Sequence, residues 1–211
     1  MTELTKGRVP HQRKSTPMTL DKQRERMLNT LRSKVDPVHA ALLVIDMQND
    51  FCAPGRMMDI QGLDLTGVQQ MADRLPDLLE AARGARVPVV FVRNVYSTDA
   101  DRYLSDTWLE QAQRRRKGSS VDRAVCGPDS WNGDFYSQLR PKADEPVVTK
   151  HRFSAFHDTD LELVLRTHGI RSVVLTGVAT KCMGRNYRSR GLHSGLLRDL
   201  RFRRNSHLLG C

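Results

Sequence analysis

The stretch Ala41-Leu42-Leu43-Val44-Ile45-Asp46 decides the fold class of this chain. Five consecutive apolar residues without polar alternation are typical of a strand that is buried on both faces. Such strands belong to parallel sheets that carry helices on both sides. Asp46 follows directly where the strand would end, and ligands bind at that edge of an open α/β sheet.

Strand and helix patterns alternate along the rest of the chain. Apolar runs predict further strands at 87–92, 146–150 and 172–177, and helical spacing predicts helices at 68–83 and 158–168. This alternation indicates an α/β fold with a mostly parallel sheet covered on both faces.

The charge divides the chain into three predicted regions. The formal net charge is +10, but residues 41–180 hold 17 Lys/Arg against 19 Asp/Glu and contribute −2. The excess lies in residues 1–40, at +5, and in residues 181–211, at +7. We therefore predict an N-terminal arm (1–38), one domain (39–180) and an aberrant basic tail (181–211), with no nucleic-acid partner.

Cysteine spacing and hydropathy bear on the compartment. Cys52, Cys126, Cys182 and Cys211 are scattered without the paired spacing of a disulfide framework or a zinc site. No stretch resembles a membrane span or a signal peptide. We expect a cytoplasmic protein without a membrane partner. In the arm, a polar helix is predicted at 19–32.

Three polar residues fall at or just beyond the ends of predicted strands: Asp46, Lys150 and Cys182. These ends share one edge of a parallel sheet, so a carboxylate, an ammonium and a thiol are expected in one cleft. Asp46 would take the thiol proton, Lys150 would favour the thiolate, and backbone N–H groups would stabilise an oxyanion. The chemistry would be acyl transfer to cysteine, then hydrolysis. From spacing alone, a helix cap, a solvated cation and a core thiol remain open as alternatives.

Two segments resemble the isochorismatase-like cysteine hydrolases. They are Leu43-Val44-Ile45-Asp46-Met47-Gln48-Asn49-Asp50-Phe51 and Gly177-Val178-Ala179-Thr180, with Lys150 following a strand between them. The resemblance covers roughly residues 40–180 and implies a Rossmann-like three-layer fold and an Asp–Lys–Cys triad of Asp46, Lys150 and Cys182. It also implies a cis peptide bond between Val178 and Ala179 at the oxyanion site, and that Gln48 and Phe51 face the substrate. Many members form oligomers, so a homo-oligomer is expected.

The segment 150–161 is most similar to the ureidoacrylate and biuret hydrolase branch of that family. This similarity implies cleavage of a C–N bond in a small amide, ureido or carbamoyl substrate through a thioester, with vinyl-ether hydrolysis as an alternative. Arg93 and Asn94 are candidates for binding a carboxylate or ureido group, although Arg93 would also suit a surface salt bridge. Phe153 is a further candidate contact. Residues 95–97 offer no histidine, so we predict no metal and no cofactor.

The sequence departs from the family pattern after Thr180. The family continues with Asn-Val-Cys, whereas this chain has Lys181-Cys182-Met183, so the thiol stands one position early. One residue turns a helix by about 100°, which would point Cys182 away from Asp46.

A one-base change of reading frame from codon 181 would encode a family-like helix and strand, although with tryptophan at the nucleophile position. We therefore expect the last strand and closing helix of the sheet to be missing. Two interpretations stay open: a cysteine hydrolase with a frameshifted tail, or a truncated and inactive pseudoenzyme.

Overall fold

The computed structural model describes residues 27–96, 105–107, 110, 125–178 and 197–201. In chain order the elements are α1 (Leu31–Lys34), β1 (Ala40–Ile45), α2 (Asn49–Cys52), α3 (Met57–Ile60), α4 (Thr66–Gly84), β2 (Val89–Asn94), a 3₁₀ turn (Trp131–Gly133), β3 (Val147–Lys150), α5 (Leu161–Thr167), β4 (Ser172–Gly177) and β5 (Leu197–Arg201). The predicted alternation of strands and helices is confirmed.

The strands form one parallel sheet in the order β3-β2-β1-β4-β5. The chain builds outward from β1 in one direction and then returns to β1 and builds in the other, so the order reverses there. Every residue of β1 is buried, as its unbroken apolar run predicts. A crevice outside the carboxyl ends of the strands is expected at such a reversal.

Helices cover both faces of the sheet, which confirms the three-layer α/β prediction. One apolar cluster joins α4 to Leu42 and Val44 of β1, and the other joins α5 to Leu43 and Ile45. Alternate β1 side chains thus enter opposite layers, as the two-residue period of a strand requires. Helix α5 is shorter than predicted because Asp158 adopts a left-handed turn, with φ 54°, before the helix begins.

The prediction that the sheet lacks its last strand is wrong. Leu197–Arg201 lies parallel to β4, with Ser172 opposite Leu197 and an irregularity between Val173 and Leu175. An uncovered strand offers a row of free N–H and C=O groups, and main-chain pairing with them needs no apolar side chain. The charged composition of this stretch therefore concealed a strand. The expected loss of the closing helix concerns residues outside the described ranges.

The N-terminal prediction is only partly tested. Residues 27–30 are not helical, so the predicted helix at 19–32 is wrong at that end. Helix α1 begins only after Thr30, whose hydroxyl accepts a hydrogen bond from the backbone N–H of Ser33 at 3.0 Å. The remainder of the predicted helix lies outside the described residues. In the part of the chain that is described, no helix combines the length and apolar character needed to cross a membrane.

Gly177 brings the end of β4 unusually close to the end of β1. Its φ is 117°, a conformation that L side chains rarely adopt, and a Cβ there would overlap the carbonyl oxygen of Ile45. The next residue, Val178, donates its backbone N–H to that same oxygen at 3.0 Å. The chain that leaves β4 is thereby attached beside Asp46.

We expect Gly177→Ala to lower the free energy of unfolding by more than about 2 kcal/mol, because it adds a steric overlap to a strained φ. Urea denaturation would measure the loss. Gly84→Ala is the matched control, because a Cβ at Gly84 meets nothing within 4 Å. Equal stability of the two variants would contradict the close approach described here.

Candidate active site

A buried ion pair lies at the carboxyl end of the sheet. The Nζ atom of Lys150 is 3.0 Å from Oδ2 of Asp46, and their side chains are 1% and 7% exposed. Asp46 follows β1 and Lys150 ends β3, so the pair spans the intervening strand β2. The structure therefore brings together the predicted base and its predicted cationic partner, although they are 104 positions apart in the sequence.

The Asp46 carboxylate is only partly satisfied. Burial raises the pKa of this carboxyl above its ordinary value, and the charge and hydrogen bond of Lys150 act against the rise. The second oxygen, Oδ1, is buried and has no hydrogen-bond partner among the described residues. Because a buried acceptor without a donor is costly, Oδ1 is the atom at which a substrate or a nucleophile proton would be received.

Asn94 lies on the strand between the two charged residues. It is fully buried and stands opposite Lys150 in the β2–β3 register. Neither its Oδ1 nor its Nδ2 has a hydrogen-bond partner in the described part of the chain. An unpaired carboxamide next to a buried ion pair is a strong indication of a polar ligand site, since such groups are normally paired.

The segment expected to carry the nucleophile reaches this edge. Val178 is buried and attached to Ile45, one residue before Asp46. Ala179 and Cys182 lie outside the described residues, so the cis peptide bond and the place of the thiol remain predictions.

The structure gives Gln48 and Phe51 buried partners within the protein, and their predicted roles as residues that face the substrate remain predictions. Gln48 is fully buried, and its amide is bonded to the backbone of Asn94 and of Gly133. Phe51 is 5% exposed and belongs to the apolar cluster beneath α4. A single sequence does not distinguish a polar side chain that faces a ligand from one that bonds to buried backbone.

Arg93 lies near the end of β2, and Phe153 follows β3. Arg93 is half-buried and donates from Nε to the Thr149 hydroxyl at 3.1 Å, on the neighbouring strand. It alternates with Asn94 along β2 and so faces the opposite side of the sheet. Phe153 is half-buried in the segment that follows β3. Their roles as substrate contacts remain predictions.

Sequence reasoning missed the loop 125–136, which packs against the segment after β1. Asn49 Nδ2 donates to the carbonyl of Trp131 at 2.6 Å, and the backbone N–H of Cys126 donates to Asp50 at 2.7 Å. The Arg56 guanidinium lies over the Trp131 ring, 5.4 Å from its centroid, and also bonds to the Asn132 side chain. Asn49 and Asp50 stand within the family-like motif, which was the available signal.

Two buried thiols near this region are poor nucleophile candidates. Cys52 and Cys126 are both free and buried. Burial raises the pKa of each thiol, and the negative charges of Asp46 and Asp50 raise it further for Cys126. Since the thiolate is the reactive form, neither residue competes with a thiol delivered after β4.

The described residues contain no group of three or more His, Cys, Asp or Glu side chains placed to hold a metal ion. His151, which follows the ion-pair lysine, has its Nδ1 atom 2.8 Å from the carbonyl oxygen of Val95. This contact gives His151 a structural partner at the end of β2.

We expect Lys150→Met to lower the free energy of unfolding by about 3–5 kcal/mol, because it leaves the Asp46 charge buried without a cation. Adding Asp46→Asn should restore most of that loss, since no uncompensated charge remains. Urea unfolding of the two single variants and the double variant would measure this coupling. Additive losses would show that the two side chains do not form a pair.

Comparison with known proteins assigns the chain to a family. The Isochorismatase domain matches residues 40–183. Ureidoacrylate amidohydrolase RutB of Azorhizobium caulinodans is 32% identical over 145 residues, which cover 66% of this chain and 64% of that protein. The chain thus spans slightly less than two thirds of the length of this relative.

Solved structures share the fold. A cysteine hydrolase from Pseudomonas syringae pv. phaseolicola aligns with a TM-score of 0.62 at 24% identity, covering 78% of this chain and 71% of the other. An isochorismatase-like hydrolase from Alkaliphilus metalliredigens aligns with a TM-score of 0.54 at 28% identity, covering 76% and 77% of the two chains. The domain match includes β1 through β4 and both partners of the ion pair, and the chain belongs to the isochorismatase family.

Proposed function

We propose that this protein hydrolyses a C–N bond of a small ureido, carbamoyl or amide substrate through a cysteine thioester. The observation that carries the proposal is the buried pair of Asp46 and Lys150 beside the unpartnered carboxamide of Asn94. Relatives named ureidoacrylate amidohydrolases support a C–N bond as the target.

Asn94 is proposed to orient the substrate. Its carboxamide offers one acceptor oxygen and two donor protons, all without partners among the described residues. A planar ureido or carbamoyl group presents the complementary set, a carbonyl oxygen beside an N–H. Pairing the two planar groups would satisfy the buried carboxamide and hold the substrate carbonyl at the edge where the thiol is expected.

Asp46 is proposed to move the proton in both halves of the reaction. Its free Oδ1 takes the thiol proton as sulfur attacks the carbonyl carbon, and the C–N bond then breaks with return of that proton to the leaving nitrogen. Water next attacks the thioester, giving a proton to Asp46 as the C–S bond breaks and the thiolate leaves. Proton return to sulfur restores the enzyme. Lys150 keeps Asp46 ionised between these steps.

The position of the thiol separates two candidate states of the protein. With Cys182 as nucleophile the chain is active as it stands, whereas with the family position at 183 it binds substrate without turning it over. A catalytic Cys182 would react rapidly with iodoacetamide near neutral pH, and Asp46→Asn would slow that reaction. Vinyl-ether hydrolysis is the alternative reaction, and an enzyme with that activity would release no ammonia from ureido compounds.

The direct test is ammonia release from ureidoacrylate by the unaltered chain and by Met183→Cys. We expect the second protein to be active, and Asp46→Asn in that background to lower kcat/KM about 10²–10⁴-fold because the proton acceptor is lost. Asp77→Asn, an exposed carboxylate on α4, is the matched control. Inactivity of both parent proteins toward ureido, carbamoyl and amide compounds would exclude the proposed function.

The pKa of Asp46 gives an independent prediction. Burial raises this pKa, so the carboxyl should titrate above the 3.8 of a solvated aspartate. Base-dependent activity should therefore appear only as the pH rises through the raised pKa of Asp46. Lys150→Met should move the titration to still higher pH, because the cation favours the ionised form. Carbon-13 NMR of the Asp46 carboxyl measures both. An Asp46 pKa that falls in Lys150→Met would contradict the role of Lys150 as the cation that keeps Asp46 ionised.

A further inference from the structure

At the end of β2, parallel-sheet geometry directs the backbone groups of Asn94 toward a position where no strand residue can pair with them. In such a sheet the N–H and C=O of one residue point to the same neighbour, and alternate residues point to opposite neighbours. Phe91 and Val95 donate their N–H groups to the β3 side, to Pro146 and Lys150 at 2.9 Å each. Both backbone groups of Asn94 therefore point toward β1.

Strand β1 has already left the sheet before it reaches the position opposite Asn94. The backbone N–H of Asp46 makes the last main-chain bond to β2, at 2.9 Å to the carbonyl of Val92. Asp46 then adopts a left-handed conformation, with φ 54°, and the chain leaves the sheet. Asn94 is fully buried, so its N–H and C=O would be orphaned there at a substantial cost.

The side chain of Gln48 takes the place of the missing strand residue. Its Oε1 accepts from the Asn94 N–H at 2.7 Å, and its Nε2 donates to the Asn94 carbonyl at 2.9 Å. The other Nε2 proton goes to the carbonyl of Gly133 at 2.7 Å. One primary amide thus satisfies three buried backbone groups, and both of its donor protons are used.

We infer that Gln48 is a positioning residue, which fixes Asn94 by pairing with its backbone and attaches the loop 125–136 to the same point. This inference rests on the proposed function, because it assigns the orientation of the Asn94 carboxamide toward a ureido substrate to Gln48. Glutamate at this position would lack both donors, and asparagine would be one methylene too short to make the same set of bonds.

Asn49 and Asp50, the two residues after Gln48, also bond to the loop 125–136. Asn49 bonds through its side chain to the carbonyl of Trp131, and Asp50 accepts from the backbone N–H of Cys126. The backbone of Asn49 also bonds to this loop, since its N–H donates to the carbonyl of Asp134 at 2.9 Å. Three consecutive polar side chains after Met47 therefore bond to backbone groups of other segments.

The first test is amide hydrogen exchange of the full chain with Gln48→Met, which keeps the side-chain size and removes all three bonds. We expect exchange of the Asn94 N–H to accelerate about 10- to 100-fold, the effect of leaving buried backbone groups unpaired. Gln70→Met, on the exposed face of α4, is the matched control and should change nothing at Asn94. Unchanged protection of Asn94 in Gln48→Met would overturn the inference.

The second test is a double-mutant cycle on the Kd for ureidoacrylate. If Gln48 acts through Asn94, Gln48→Met weakens binding in the unaltered chain but adds no further loss in Asn94→Ala. A full and additive loss in that background would overturn the positioning role, because Gln48 would then act independently of Asn94.

A third variant covers the case in which Gln48→Met does not fold. Gln48→Glu keeps the acceptor for the Asn94 N–H and loses the donors, so protection of Asn94 should fall less than that of residues 125–136. Equal loss at both places would count against the inference. Failure of the unaltered chain to bind ureido, carbamoyl and amide compounds would count against the proposed function, whereas the hydrogen exchange of Asn94 still decides whether Gln48 supplies the missing strand contact.

Discussion

The buried contact between Asp46 and Lys150 constrains most of what surrounds it. Neighbouring strands lie about 4.8 Å apart, so residues at the ends of β1 and β3 are separated by about twice that distance. A long side chain such as lysine closes this gap, and it does so across the intervening strand β2. Burying two charges costs several kcal/mol per ion, and their mutual attraction offsets this cost only in good geometry, so the sheet register must stay fixed for the pair to persist.

Register at the end of a sheet is difficult to maintain, because strands diverge and lose their main-chain partners. Here the strands do diverge: Asp46 leaves β1 in a left-handed turn at the edge of the sheet where β4 also ends. Gln48 and Gly177 each supply a contact that holds the diverging chain in place. The Gln48 amide restores the bonds that Asn94 would lose, and the missing side chain of Gly177 lets the next residue bond to Ile45. Fold stability and site geometry therefore depend on the same few contacts.

The sequence predicts the centre of this arrangement better than its edges. The apolar run before Asp46 identifies a central strand, and strand ends that share one edge bring Lys150 to it. The partners of Gln48 could not be predicted, because Gly133 is 85 positions away in a loop without periodic pattern. The family resemblance predicts Phe51 as a substrate contact, and the structure shows its side chain in the apolar cluster beneath α4. Strand β5 was missed since main-chain pairing leaves no apolar signature in a charged segment.

The attachment of Val178 also explains why one residue matters so much at the nucleophile. A strand with free ends could slide by one position to realign a displaced thiol, but the overlap at Gly177 and the bond from Val178 to Ile45 fix the register of β4 against β1. Such a slip would also move every β4 side chain to the opposite face of the sheet. If a helix begins after this point, a thiol at 182 instead of 183 would be rotated by about 100° with only about 1.5 Å of rise. If a thiol at 182 stands one position early, the contacts of Gly177 and Val178 with Ile45 therefore leave no strand movement to compensate for it.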